Sequence, residues 1–344
     1  MQQPHFQLSH GDPTSSVQPK VLLAGDPQKI DLAFPQSVKA KAMARVEILP
    51  GHCSSDWRQG APAVLSSADY ILGTWGMPML DEQFLEAAPN LRGVFYAAGS
   101  VKGFATEASY ARGITISSAW AANGIPVAEY TLATILLSLK QFWAHSRQSR
   151  ERQKTLNISG GYGSTVGIVS LGAIGRYLVD LLKKFDLRVI AYDPYLSKED
   201  AALMGVESVS LETVFEQSDV VSLHTPWLPE TEGMIHAGLI SRMKQGATLI
   251  NTSRGAIVNE TDLCMVLQSR VDLTAILDVT YPEPPLKDSP LYDCPNIIIT
   301  PHIAGSMGGE VARMGNWMVD ELFRAINGRP LQHAVSLEML AKMA

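Results

Sequence analysis

The stretch TVGIVSLGAIGRYLVDLLKKFDLRVIAYDPY, residues 165 to 195, decides the fold. Val166, Ile168 and Val169 form a short apolar run with the character of a buried strand, and Ile174, Leu178, Leu181, Leu182 and Phe185 line one face of a helix. Between them lies Ser170-Leu171-Gly172-Ala173-Ile174-Gly175. In the G-x-G-x-x-G dinucleotide fingerprint the second glycine lets the backbone approach a pyrophosphate, and the third lets helix and strand pack closely. Gly172 and Gly175 occupy those places, with Ala173 and Ile174 in the turn that opens the helix. Ser170 stands where the first glycine is usual, which removes backbone freedom at the start of the tight turn. Asp193 follows Gly175 by eighteen residues, at the end of the next apolar run. A carboxylate there accepts hydrogen bonds from the adenosine ribose, and its charge repels a 2′-phosphate, so NAD (NADH) is the expected cofactor and NADP is disfavoured.

Outward from this unit the same alternation continues. Apolar runs at 166–169, 188–192, 219–223, 248–250, 273–277 and 297–299 are separated by helix-like stretches, which implies a parallel, doubly wound sheet. Before it, Val21–Ala24, Tyr70–Leu72 and Gly93–Ala97 mark a first α/β unit ending near Trp120. Val127, Tyr130, Ile135, Leu139 and Phe142 predict a helix over Pro126–His145, with Pro126 in its first turn. Val311, Met314, Met318, Leu322 and Ile326 predict a closing helix over Gly308–Ile326 that packs back on the first unit. The expected organisation is a polar tail over 1–18, a discontinuous domain of 19–119 plus 309–344, and a nucleotide domain over 120–308 inserted into it.

With 46% hydrophobic and 18% charged residues, the composition is that of a soluble globular chain, and 344 residues exceed what one core usually serves. A net charge of -6 argues against nucleic acid, and the short basic run at 147–154 reads as a solvated helix end. The longest uncharged apolar stretch, Thr131–Leu139, is far shorter than the roughly 20 residues that span a bilayer. The N-terminus carries no basic region followed by an apolar core, so a cytoplasmic location is expected. Cys53, Cys264 and Cys294 are odd in number and have no C-x-x-C pair, which fits free, buried thiols; no metal-ligand spacing is present among the histidines.

Arg254, Glu283 and His302 each lie just beyond a strand-like run, and together they offer a carboxylate anchor, a carboxylate to tune a proton donor, and the donor itself. The segments around them, with SDVVSLHTPWLPETEGMI at 218–235, LINTSRGAIVNETDL at 249–263, LDVTYPEPP at 277–285 and NIIITPHIAG at 296–305, resemble the D-isomer-specific 2-hydroxyacid dehydrogenases. The resemblance runs from about Val21 to Val335. It implies an α/β chain of two domains, a Rossmann NAD-binding domain inserted into a smaller flavodoxin-like substrate domain, assembled as a homodimer, and hydride transfer between nicotinamide and a small 2-oxo or D-2-hydroxy acid.

The resemblance assigns roles residue by residue. Arg254 becomes the substrate-binding arginine, whose planar guanidinium holds a carboxylate and polarises the adjacent ketone. His302 becomes the general acid and base, and Glu283 the carboxylate that favours its charged form. Asp278 is matched to the nicotinamide carboxamide. His224 borders the adenine side as a cofactor wall, and Thr225, Thr252 and Ser253 are further cofactor contacts. In the first domain Gly99, Ser100 and Val101 match a loop whose backbone amides meet the substrate carboxylate. The family's usual aspartate a few positions on is absent, with Lys102 and Phe104 in that region; Lys102 is expected in solvent. Trp75, Met77 and Trp120 are expected mainly in the core. Closure of the first domain over the second would exclude water from the reaction. The sequence as it stands ends without the extra C-terminal regulatory domain that many such dehydrogenases carry. A competing reading of the same fold is an NAD-sensing, corepressor-like binding protein, and a third is a relative whose cofactor affinity Ser170 has weakened.

Overall fold

The computed structural model describes residues 18–60, 62–147 and 160–342. The polar N-terminal segment, apart from its last residue, and the basic run after Arg147 lie outside them. The chain forms two compact units: one comprises residues up to Asn123 together with those from Met307 onward, the other Gly124–Ser306.

The first unit is built on five parallel strands, β1 (Lys20–Ala24), β2 (Glu47–Cys53), β3 (Tyr70–Gly73), β4 (Gly93–Tyr96) and β5 (Thr115–Ser118). Their order is β2-β1-β3-β4-β5, the flavodoxin-like arrangement. Alternate side chains of β1 go to opposite faces, as a period of two demands. Leu22 and Ala24 join a core with Ile71, Val94 and Ile116, whereas Val21 and Leu23 join Leu72 and Phe95 on the other side. That second face is covered by the helix Gly309–Ile326, through Val311, Met314, Met318 and Leu322, the stripe read from the sequence. Gly315 sets how closely it approaches, since an added Cβ would stand 1.8 Å from the carbonyl oxygen of Ala33.

The second unit carries seven parallel strands, β6 (Thr165–Val169), β7 (Arg188–Tyr192), β8 (Glu207–Ser208), β9 (Val220–Leu223), β10 (Thr248–Asn251), β11 (Thr274–Leu277) and β12 (Ile297–Ile299). They lie in the order β12-β11-β10-β9-β6-β7-β8. Both faces are buried, with Val169, Val221, Leu249 and Ala275 in one core and Ile168, Val220, Ile250 and Ile276 in the other. The order reverses between β6 and β9, and in an open α/β sheet the crevice beyond the strand ends at that point is where ligands bind. The α/β class and the parallel, doubly wound sheet are therefore as the apolar runs imply.

One element differs from its expectation. The helix over Pro126–His145 starts earlier and is broken: Trp120–Ser138 is one helix with Pro126 inside it, and Phe142–Arg147 is a second. The first turn is set by the Ala119 carbonyl, which accepts from the Asn123 amide, and not by the proline. The break comes at Gln141, held at φ 48, a left-handed conformation that no α-helix continues through. Among the described residues no helix is long and apolar enough to cross a membrane, and no group of three or more His, Cys, Asp or Glu side chains could hold a metal. Cys53, Cys264 and Cys294 are free and buried.

Candidate active site

Arg254, Glu283 and His302 leave the sheet from the C-terminal ends of three neighbouring strands, β10, β11 and β12. Glu283 Oε1 lies 2.6 Å from His302 Nδ1, with both side chains part exposed. An ionised carboxylate can only accept, so Nδ1–H donates and Nε2 is the ring nitrogen left to exchange a proton. Burial pushes the Arg254 guanidinium below its ordinary pKa, and the negative charge of Glu283 pulls it back up, so these two groups sense each other. The structure thus brings all three residues to one edge.

The loops that carry them are fixed by Asn251 and Gly255, which no motif singles out, and by Asp278, matched above to the nicotinamide carboxamide. Asn251, fully buried at the end of β10, accepts through Oδ1 from the amide and hydroxyl of Ser253 and donates through Nδ2 to the carbonyl of Arg254. Arg254 in turn donates to the Ser253 carbonyl at 2.6 Å. Gly255 lies so tightly against the next loop that an added Cβ would stand 1.9 Å from the carbonyl carbon of Thr280. Asp278, 1% exposed, accepts from the Thr300 hydroxyl and from the amides of Ile303 and Ala304. Its own carbonyl accepts from the His302 amide, with His302 at φ 54. Asp278 is therefore a clamp on the loop of His302. A carboxylate has about four acceptor positions, so one remains for a carboxamide. The hydroxyl of Tyr130 adds a hydrogen bond to Thr300 at 3.1 Å.

Next to this edge the fingerprint stands beyond β6. Gly172 is the N-cap of the helix Ala173–Leu182 and offers no side-chain cap, so the first-turn amides of Ala173, Ile174 and Gly175 have no acceptor from that source. An added Cβ at Gly172 meets nothing within 4 Å, whereas one at Gly175 would lie 2.5 Å from the Ser170 carbonyl oxygen. Gly172 thus faces open space and Gly175 packs helix on strand. These uncapped amides fit a dinucleotide pyrophosphate, which the helix N-terminus would hold. Ser170 adopts φ 78, the left-handed conformation that glycine serves at lower cost. Asp193 accepts from the amides of Leu171 and Tyr195, at 2.7 and 2.8 Å, so it braces the fingerprint loop at the end of β7.

At the reversal of strand order, Nε2 of His224 lies 3.0 Å from the Ser222 hydroxyl, and its Nδ1 is sealed from solvent without a hydrogen-bond partner among the described residues. The ring keeps some exposure elsewhere. Burial pushes its pKa down to about 4, so it is neutral at physiological pH. The Thr225 hydroxyl lies 3.5 Å from the Val169 carbonyl, and the Thr252 hydroxyl pairs with that of Thr131 at 3.3 Å.

The Gly99 loop belongs to the first unit. The Ser118 hydroxyl donates to the carbonyls of Ala98 and Gly99, which turns the chain after β4. The Val101 side chain is fully buried, so only its backbone can serve a ligand. Lys102 is exposed, Met77 lies in the core, Trp75 keeps 36% of its surface in solvent, and Trp120 packs against the core with its indole nitrogen buried and, among the described residues, without a hydrogen-bond partner.

The family model for the NAD-binding domain of D-isomer-specific 2-hydroxyacid dehydrogenases matches residues 132–304, which hold the fingerprint and all three residues of the strand-end set. The chain belongs to this family. D-3-phosphoglycerate dehydrogenase of Archaeoglobus fulgidus is 33% identical over 262 residues, covering 75% of this chain and 50% of the relative. The chain spans about half the length of the curated relatives it matches. Among solved structures, a phosphoglycerate oxidoreductase from Rhizobium etli is 26% identical with a TM-score of 0.75, covering 92% of this chain and 97% of that one. D-mandelate dehydrogenase of Rhodotorula graminis, 22% identical with a TM-score of 0.77 over 93% of this chain and 98% of that one, shares the fold. This member of the 2-hydroxyacid dehydrogenase family thus has an α/β fold of two parallel sheets and an NAD-binding domain.

Proposed function

We propose that this chain is an NAD-dependent oxidoreductase that interconverts a small 2-oxo acid and its D-2-hydroxy acid. The observation that carries the reading is the 2.6 Å contact between His302 Nδ1 and Glu283, at the strand edge that also presents Arg254. Arg254 holds the carboxylate of the acid in a two-pronged contact and draws electron density from the ketone. His302 gives a proton from Nε2 to the carbonyl oxygen in reduction and takes it back in oxidation. Glu283 fixes the ring so that Nε2 faces outward, and its negative charge stabilises the charged imidazole. Asp278 is a positioning residue for the His302 loop. NAD, when bound, supplies or accepts the hydride at C2.

The first-turn amides after Gly172 fit the pyrophosphate, and the fixed charge of Asp193 supports NAD over NADP. His224, Thr225, Thr252 and Ser253 line the same strand ends and are proposed cofactor contacts. The Gly99–Val101 backbone, in the first unit, offers amides suited to an anionic group. Relatives named for phosphoglycerate, glyoxylate, D-lactate and D-mandelate define the range of acids to try. A cytoplasmic homodimer completes the proposal, and three free, buried thiols suit that reducing compartment.

The test is loss of NADH absorbance with purified protein against a panel of 2-oxo acids, with NADPH alongside. Turnover with any acid, faster with NADH, is the expected result. No turnover across the panel despite saturable NADH binding would overturn the enzymatic reading.

A further inference from the structure

We propose that the first unit carries a second anion site, a cavity at the end of the helix Gly309–Ile326 that takes a small phosphate- or carboxylate-bearing ligand. The cavity has a volume of about 450 Å³ and is lined by Arg45, Arg324 and Arg329 together with Trp317, Asp320, Glu321 and His333. The charges on its wall do not cancel. Asp320 is paired with Lys41 at 2.7 Å. Glu321, 1% exposed, accepts from the amides of Gln332 and His333 and from the Ser117 hydroxyl, and Arg324 stands 3.4 Å away. Both carboxylates are thus committed. Among the described residues no ion pair involves Arg45, whose guanidinium lies over the Phe323 ring, or Arg329.

Two guanidiniums without a carboxylate partner on one cavity wall give that wall a local positive charge that draws an anion. The helix end opposes this with about half a negative charge, which two full positive charges outweigh. Much of that end is also capped, because the amides of Asn327, Gly328 and Arg329 donate to the carbonyls of Phe323, Ala325 and Arg324. The back wall is preformed: the His333 ring stacks on Trp317 with centroids 5.0 Å apart and planes 19° apart, and Trp120 meets it edge-on. Burial lowers the His333 pKa, so its ring adds no further positive charge to the wall at neutral pH.

The cavity is also tied to the Gly99 loop. The His333 carbonyl accepts from the Ser118 amide at 3.1 Å, and the Ser118 hydroxyl holds the carbonyls of Ala98 and Gly99. A ligand that tightens His333 therefore tightens the loop through Ser118.

The experiment is calorimetric titration of the whole protein with inorganic phosphate and, in parallel, with malonate, at constant ionic strength. At least one probe is expected to bind saturably. Arg45→Ala with Arg329→Ala should weaken it by more than about tenfold, the scale of lost charge-assisted hydrogen bonds. Both side chains are exposed, so the fold is expected to survive, checked by the unfolding midpoint. Arg254→Ala should leave unchanged the part of the binding that the double variant loses. Absence of saturable binding with either probe, or binding lost in Arg254→Ala and kept in the double variant, would overturn the site. Amide exchange at Gly99–Val101 should slow with ligand in the wild type and not in the double variant. Equal slowing in both would overturn the link to the loop. Neither readout requires turnover, so the result stands apart from the proposed reaction.

Discussion

The two glycines of the fingerprint should fail in different ways. In Gly175→Ala the new Cβ would lie 2.5 Å from the Ser170 carbonyl oxygen and 3.3 Å from Leu171 Cδ2. Ordinary contact begins at 3.4 Å, so the helix Ala173–Leu182 must move from β6 by about 0.9 Å. The obstacle is backbone and cannot swing aside. Overpacking of this kind costs about 1–3 kcal/mol, which in a unit of this size lowers the midpoint by about 3–9 °C. Gly172→Ala meets nothing within 4 Å, and at φ -65 the residue is in a conformation alanine accepts. Its fold should hold to within about 1 kcal/mol, since the poorer N-cap is offset by a less flexible unfolded chain. Its methyl instead stands where the pyrophosphate would approach, so NADH affinity should drop by about tenfold or more, equivalent to about 1.4 kcal/mol. Thermal and urea unfolding without ligand, with NADH titrations followed by nicotinamide fluorescence, measure both variants. The packing argument fails if Gly175→Ala unfolds like the wild type, and the approach argument fails if Gly172→Ala binds NADH normally.

Ser170→Gly should stabilise the chain by up to about 1 kcal/mol, because relief of the left-handed backbone outweighs the added freedom of the unfolded state; a lower unfolding midpoint would contradict it. Glu283→Gln keeps a hydrogen-bonding oxygen but removes the charge, so turnover with the preferred acid should fall by about tenfold or more while NADH affinity is unchanged; an equal loss in NADH affinity would place the effect elsewhere. His224 has a folded pKa of about 4 against 6.5 when unfolded, so the unfolded state takes the proton first. Stability is therefore full above about pH 6.5 and falls as pH drops toward 4, by about 2 kcal/mol between pH 7 and pH 5. Urea unfolding of His224→Asn should show that much less loss over the same interval, and an identical slope would refute the assignment. Asp193→Ser should raise NADPH affinity relative to NADH, and it should also lower stability because the Leu171 and Tyr195 amides lose their acceptor; titrations with both nucleotides read the first effect.

The sequence by itself determined the parallel sheets and the family. Hydrophobic period is a local property, so runs such as Val166–Val169 and Ile297–Ile299 and the stripe from Val311 to Ile326 announce their elements without knowledge of the neighbours. β2, β5 and β8 gave no such signal, because β2 carries Pro50, Gly51 and His52, β5 is Thr-Ile-Ser-Ser and β8 has two residues. The start of the helix at Trp120 was equally silent: proline favours a first turn, but here the Ala119 carbonyl set the helix in place ahead of it. At the site, the motifs picked out Arg254, Glu283 and His302, and the Gly175 packing follows from the fingerprint rule. Only the tertiary structure decided that Asp278 and Asn251 brace the loops, that Asp193 is bonded to backbone amides, and that Gly255 must lack a side chain. The Asn251 partners are only two and three residues on, but the others depend on where a second strand end or loop lies, 22 residues away for Thr300 at Asp278 and Leu171 at Asp193, and a residue type does not state which partner folding will bring to it.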